Sequence, residues 1–209
     1  MPPPTQEAAP FRPTPPVVVG LVGGVAAGKS AVAGCFLSHG LAVVDADAIA
    51  RETSAEPAVL AELQREFGAG IVRDGALDRA AMAQRVFADP ATRGRLEAIL
   101  HPRIRARILA ELAAARAAGQ SVLLDAPLLL EGGLVAWCDH VVFVAAPAAV
   151  RAARAAARGW APGELERREA AQAPLGEKLA RAAHTIDNGG SLADTARQVA
   201  EYLATLASR

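Results

Sequence analysis

The chain has 209 residues, 52% of them hydrophobic but only 4% aromatic, and its 22 basic and 22 acidic side chains cancel. This length suits one α/β domain with elaborations, its core built from Ala, Val, Leu and Ile. The neutral balance argues against a nucleic-acid or membrane-surface protein, which would carry a basic excess.

In chain order, Met1–Pro16 carries seven prolines and neither an apolar segment nor a cleavage pattern. It is expected to be an extended, mobile tail rather than a signal peptide. Val17–Val22 then reads as a buried strand running into Gly23-x-x-x-x-Gly28-Lys29-Ser30, the spelling of a phosphate-binding loop. The glycines let successive N–H groups converge on phosphate oxygens, and the helix expected from about Gly28 adds the positive end of its dipole. Lys29 brings a compact charge to the β/γ-phosphates, and the Ser30 hydroxyl is placed to hold Mg²⁺. The nucleotide-binding residues expected here are Gly24, Ala26, Ala27, Gly28, Lys29, Ser30 and Ala31. Lys29 and Lys178 are the only lysines beside twenty arginines, so a point charge was retained where it suits the loop better than a planar fork.

Leu41–Val44 reads as a second strand, expected to neighbour the loop strand, and Asp45 and Asp47 follow it. Such carboxylates suit a hydroxyl-orienting base or a metal site, and equally a helix N-cap. Pro57 starts a helix carrying Val59, Leu60, Leu63 and Phe67, with Gly68 as its stop. Asp78 caps the next, and Asp89-Pro90 opens another that is expected to break at His101-Pro102. A further helix runs through Ile104, Ile108 and Leu112. This insertion, far longer than a simple crossover, is expected to take a second substrate at the carboxyl edge of the sheet.

Ser121-Val-Leu-Leu-Asp125 resembles a strand ending in a metal-holding acid. Glu131, in an otherwise apolar segment, faces either the site or solvent, and Val122–Trp137 is too short and too polar to span a bilayer. Strands at His140–Val144 and Thr185–Ile186 complete a parallel sheet buried on both faces. Between them Arg151, Arg154 and Arg158 share one helix face in an alanine-rich stretch, which suits a solvated helix or a mobile lid that neutralises a transferring phosphoryl group. Cys35 and Cys138 have no partner spacing, and His39, His101, His140 and His184 show no zinc pattern, the usage of a reduced cytoplasmic chain.

Gly23-Gly24-x-x-x-Gly28-Lys29-Ser30, Asp45-Ala46-Asp47-x-x-Ala50-Arg51, His101-Pro102, Pro127-Leu128-Leu129-x-Glu131 and Ile186-Asp187-Asn188 occur in that order. Together they resemble the dephospho-coenzyme A kinase family from about Val17 to the C-terminus. The resemblance implies transfer of the ATP γ-phosphate to the ribose 3′-hydroxyl of dephospho-coenzyme A, with Mg²⁺, by a cytoplasmic monomer or weak homo-oligomer that binds neither nucleic acid nor membrane. The implied fold is a P-loop NTPase-type parallel sheet flanked by helices, residues 17–209, with a helical acceptor region at about 53–119 and a helical lid at about 148–183.

The resemblance also implies residue roles. Lys29, Asp47 and Arg158 would be catalytic, with Asp45, Arg51, His101 and Glu131 beside the acceptor. Ser30 and Asp125 would hold the metal, Arg154 would serve from the lid, and Asn188 and Gly189 would lie near the adenine. Val22, Ala26 and Ala27 stand where the family loop usually has Thr, Gly and Ser, so Ala26 must adopt a backbone conformation tolerable to a Cβ. Gly159 stands where the family lid usually has a polar residue. The alternative reading is another small-molecule or nucleoside monophosphate kinase with a P-loop. A GTPase-like switch fits poorly, because no Asn-Lys-x-Asp occurs and the one Asp-x-x-Gly, Asp187–Gly190, comes too late. An inactive relative fits poorly too, given Lys29, Asp47 and Arg158 together.

Overall fold

The computed structural model describes Phe11, Pro13 and residues 15–207. Each apolar run expected to be a strand is one. β1 (Val18–Gly23), β2 (Ala42–Asp45), β5 (Val122–Asp125), β6 (His140–Ala145) and β7 (His184–Asp187) form a five-stranded parallel sheet in the order β2-β5-β1-β6-β7. The order corrects one expectation. β5, not β2, lies beside the loop strand, with Val18 opposite Val122 and Gly20 opposite Leu124. The long excursion between β2 and β5 lets the returning chain insert between β2 and β1. Asp125, not Asp45, therefore ends the strand adjacent to the P-loop strand.

Helices bury the sheet. α1 (Lys29–Ser38) sends Val32, Ala33 and Phe36 into a cluster with Val19, Leu21, Leu123, Val142 and Ile186. α9 (Leu192–Ala207) adds Val199, Tyr202, Leu203 and Leu206 to it. Small and branched side chains thus fill a space in which each large residue contributes about 1.5–3 kcal/mol of burial. Phe11 belongs to this cluster, and its N–H donates to the His39 carbonyl at 2.7 Å. Phe11 is therefore packed, while the expectation of an extended, mobile tail falls otherwise largely on residues 1–10, 12 and 14, outside the described residues.

The chain divides into two compact units, one of residues up to Val44 with Leu112 onward, the other Asp45–Glu111. In the second, α2 (Ala46–Ala55) and α3 (Pro57–Phe67) precede a hairpin of β3 (Val72–Arg73) and β4 (Ala76–Leu77), then α4 (Arg79–Ala88). Asp74 and Gly75 both have positive φ, as a two-residue hairpin turn requires. Val59, Leu63, Phe67, Ile71 and Met82 form the core of this unit. An apolar groove of about 620 Å³ runs beside Met82, Val86, Phe87 and Leu96, with Phe87 89% exposed.

α5 runs unbroken from Pro90 to Ala117 with Pro102 inside it, contrary to the expected break. Proline removes the ladder bond to the Ala98 carbonyl. Leu96, Ile99 and Leu100 pack before the proline, and Ile108 and Leu112 are buried after it, so packing holds the helix on both sides. The remaining elements are α6 (Ala148–Ala157), α7 (Glu164–Ala170) and α8 (Leu175–Ala180).

Candidate nucleotide-binding site

β1 delivers the chain to Gly23 at the carboxyl edge of the sheet, and α1 starts at Lys29. Within the loop, the Ala27 N–H donates to the Gly24 carbonyl at 3.2 Å, while Ala31 and Val32 donate to Gly28. Gly28 caps the helix at φ 90°, a left-handed conformation that favours glycine. Ala26 also sits there, at φ 59°, so the residue flagged by the sequence does carry backbone strain. The start of a helix leaves backbone N–H groups without helical acceptors, which is the physical basis of anion binding at such a turn.

Two distant side chains grip the loop from behind. Asn188, after β7 and almost fully buried, donates from Nδ2 to the Ala27 carbonyl at 2.8 Å. Its Oδ1 accepts from the buried Thr195 hydroxyl at 2.9 Å, which fixes which way the amide points. Arg154 donates from Nη1 to the same Ala27 carbonyl at 2.9 Å and from Nη2 to the Asn188 carbonyl at 2.7 Å. A Cβ on Gly28 would collide with Asn188 Nδ2. The side chain expected near the adenine thus holds the loop backbone, and the expected lid arginine Arg154 does the same. Gly189 accepts no larger residue, since a Cβ would come 2.6 Å from Pro147 Cδ.

On the open side, burial and then the Lys178 charge push the Lys29 ammonium below its ordinary pKa, while Asp125 and Glu131 oppose them and Arg158 adds to them. Asp125, Glu131, Lys178 and Arg158 are thus the charges that bear on the Lys29 ammonium. Arg158 stacks its guanidinium 5.8 Å from the Trp160 ring centre at the end of α6. Glu131 Oε1 accepts the Ala173 N–H at 2.7 Å and lies 3.6 Å from Lys178 Nζ. Burial works to raise its pKa, but the Ala173 bond and Lys178 outweigh that and hold the carboxyl below its usual range. Ser30 is exposed at the start of α1. The Ser30 hydroxyl and Asp125 carboxylate are hard oxygen donors of the kind Mg²⁺ shares with phosphate oxygens and water. Among the described residues no three His, Cys, Asp or Glu side chains gather as a metal cage, and Mg²⁺ does not need one.

In the Asp45–Glu111 unit, Asp45 caps α2, its Oδ1 accepting from the Ala48 N–H at 2.8 Å. The cap reading is therefore realised for Asp45, which also lies 3.8 Å from Arg51. Asp47 is exposed in the first turn of the same helix, one turn before Arg51, and His101 is exposed on α5. Sequence reasoning passed over Thr195, Gln172 and the burial of Lys178. Only the last left a signal, as the second lysine of an arginine-rich chain.

A strand-loop-helix phosphate cradle on a parallel sheet flanked by helices defines a P-loop kinase fold. A Deinococcus radiodurans dephospho-CoA kinase is 48% identical over 190 residues, spanning 90% of this chain and 91% of that one. The Anaeromyxobacter dehalogenans dephospho-CoA kinase is 46% identical over 194 residues, spanning 90% and 92%. A crystal structure of a Thermus thermophilus protein superposes with a TM-score of 0.78 at 38% identity, covering 91% of this chain and 98% of that one. A Campylobacter jejuni dephospho-CoA kinase shares the fold with a TM-score of 0.71 at 22% identity, covering 91% and 97%. The CoaE family model, dephospho-CoA kinase, matches residues 17–194. The chain belongs to the dephospho-CoA kinase family, the kinases of the final step of coenzyme A biosynthesis, with ATP as co-substrate.

Proposed function

We propose that this chain transfers the ATP γ-phosphoryl group to the ribose 3′-hydroxyl of dephospho-coenzyme A. The observation that carries the reading is the Gly23–Ser30 cradle, its Ala27 carbonyl held by Asn188 and Arg154 and Lys29 at the start of α1, in a chain of this family. The loop amides and Lys29 hold the β- and γ-phosphates. The acceptor oxygen attacks the γ-phosphorus, the bond to the β-bridging oxygen breaks, and ADP leaves with the charge. Asp47 accepts the hydroxyl proton and Asp45 supports the turn that carries it, in keeping with the Asp-Ala-Asp motif and the cap on α2. Arg51, His101 and Glu131 border the acceptor, together with the wider helical region of about 53–119. Arg158, on a lid within about 148–183, neutralises charge on the transferring group. Mg²⁺, held by Ser30 and Asp125, would supply further neutralisation of the phosphate oxygens when bound. Asn188, which also supports the loop, lies with Gly189 near the adenine of ATP.

Two free cysteines and the lack, among described residues, of any helix long and apolar enough to cross a membrane agree with a cytoplasmic site of action. A monomer or weak homo-oligomer without nucleic-acid or membrane partners is the assembly we propose, to be checked by size-exclusion chromatography with light scattering.

The direct test is ADP release from ATP and Mg²⁺, with and without dephospho-coenzyme A, with mass spectrometry of the acceptor. A gain of one phosphate, stimulated well above the ATP-only rate, is expected. Nucleotide binding without that product would move the search to nucleoside monophosphates and other hydroxyl acceptors.

A further inference from the structure

The fold brings the second of the two lysines into the surroundings of the first. α8 packs on β1, and a Cβ on Gly24 would lie 3.3 Å from Leu175 Cδ2 in the first turn of α8. One turn further on, Lys178 is only 3% exposed. Its Nζ donates to Gln172 Oε1 at 2.7 Å and stands 3.6 Å from Glu131 Oε1, the oxygen already shared with the Ala173 N–H. A buried ammonium is costly unless paired, and this pairing is partial: one neutral amide and one carboxylate oxygen at long range. Lys29 feels both Lys178 and Arg158 as like charges, against Asp125 and Glu131. Arg151 Nη1 also approaches the loop, 3.1 Å from a Cβ on Gly24, and Arg154 Nη1 lies 3.2 Å from a Cβ on Gly28. Like charges gathered at a phosphate-binding loop favour a bound anion.

The choice of residue points the same way. Elsewhere this chain uses arginine for its ion pairs, as at Arg103–Glu62 and Arg116–Asp139. A guanidinium fork is locked to a planar partner, whereas an ammonium has three rotatable donors and can change partner without repacking.

We infer that Lys178 is a second phosphate-binding lysine, whose Nζ exchanges Gln172 for an oxygen of the terminal phosphate while Glu131 keeps it in place. This rests on the kinase reading above and adds to it a cation outside the motifs quoted for it. No bond to carbon or phosphorus is made; the ammonium stays protonated and contributes charge. Because the contact is to the terminal phosphate, it separates a triphosphate from a diphosphate.

The experiment is a calorimetric titration of the full chain, with Mg²⁺, against ADP and against an ATP analogue with a methylene β–γ bridge. Lys178→Met is expected to weaken the triphosphate analogue about tenfold, the scale of one lost charged hydrogen bond, and ADP less than about twofold. Lys178→Arg should fall between the two proteins. Equal weakening of both ligands, or of neither, would overturn the inference and leave Lys178 as a clamp for Glu131 and Gln172. If Lys178→Met melts below the assay temperature, Lys178→Gln, which keeps a polar tip for Gln172, carries the same comparison. A wild-type protein that binds neither nucleotide would instead overturn the kinase reading and this inference with it.

Discussion

The P-loop surroundings and the Asp45–Glu111 insertion are held together by different means. Around the loop, side chains distant in sequence converge: the buried Asn188 and the half-buried Arg154 both donate to the Ala27 carbonyl. In the insertion the charged side chains pair at the surface. Arg95 meets Glu66, Arg103 meets Glu62, and Arg107 lies among Glu52, Glu56 and Glu111. Exposed pairs of this kind contribute little, from nothing to about 1 kcal/mol each. The insertion stands instead on its apolar cluster and its helix caps at Asp45 and Asp78. Buried hydrogen bonds are directional and fix where a backbone lies, which a phosphate cradle needs. Apolar packing fixes a helical unit just as firmly but leaves its surface chemistry open.

Substitutions that strike one region and spare the other sharpen this contrast. Lys29→Ala has the largest expected effect, a loss of about a hundredfold to a thousandfold in kcat, as for other removed electrostatic groups of active sites. Near-normal turnover in a phosphate-transfer assay would break the loop's catalytic role. Leu63→Ala, at a fully buried position of the insertion, should cost about 3 kcal/mol in urea unfolding. Below its melting temperature it should leave nucleotide affinity within about twofold, because stability there is apolar and local; a parallel loss of affinity would refute the contrast.

Thr195→Val removes the hydroxyl that orients Asn188 while keeping its shape, so the Asn188 amide loses a partner at a cost of about 1–2 kcal/mol. The KM for ATP should rise several-fold with a smaller change in kcat, and Thr195→Ser should restore it; equal changes in both variants would assign Thr195 to packing alone. The smallest effect expected is a gain. Ala26→Gly relieves the left-handed residue at φ 59° and should stabilise the protein by about 1 kcal/mol in thermal unfolding, less the entropy glycine returns to the unfolded chain.

Local patterns in the sequence determined much of this protein. Continuous apolar runs located all five strands of the main sheet, because a strand buried on both faces has no polar side to show. The glycine spacing with Lys29 and Ser30 located the loop, since few other residues satisfy its backbone angles and charge. Pro57, Asp78 and Asp89-Pro90 marked helix starts for equally local reasons. The Asp74-Gly75 turn was also present in the sequence, but strands of two residues are too short for an alternating pattern to reveal.

Tertiary structure decided the rest. Pro102 is tolerated because packing on both sides of it holds the helix, which no window of sequence around a proline discloses. The insertion of β5 between β2 and β1 is a matter of chain path, and it made Asp125 the acid beside the loop strand. Asn188 became a support for the loop, and Lys178 a buried cation beside Glu131, only when residues far apart in sequence were packed together. Burial, like-charge proximity and hydrogen-bond direction are properties of neighbours in space, and a single sequence records neighbours only along the chain.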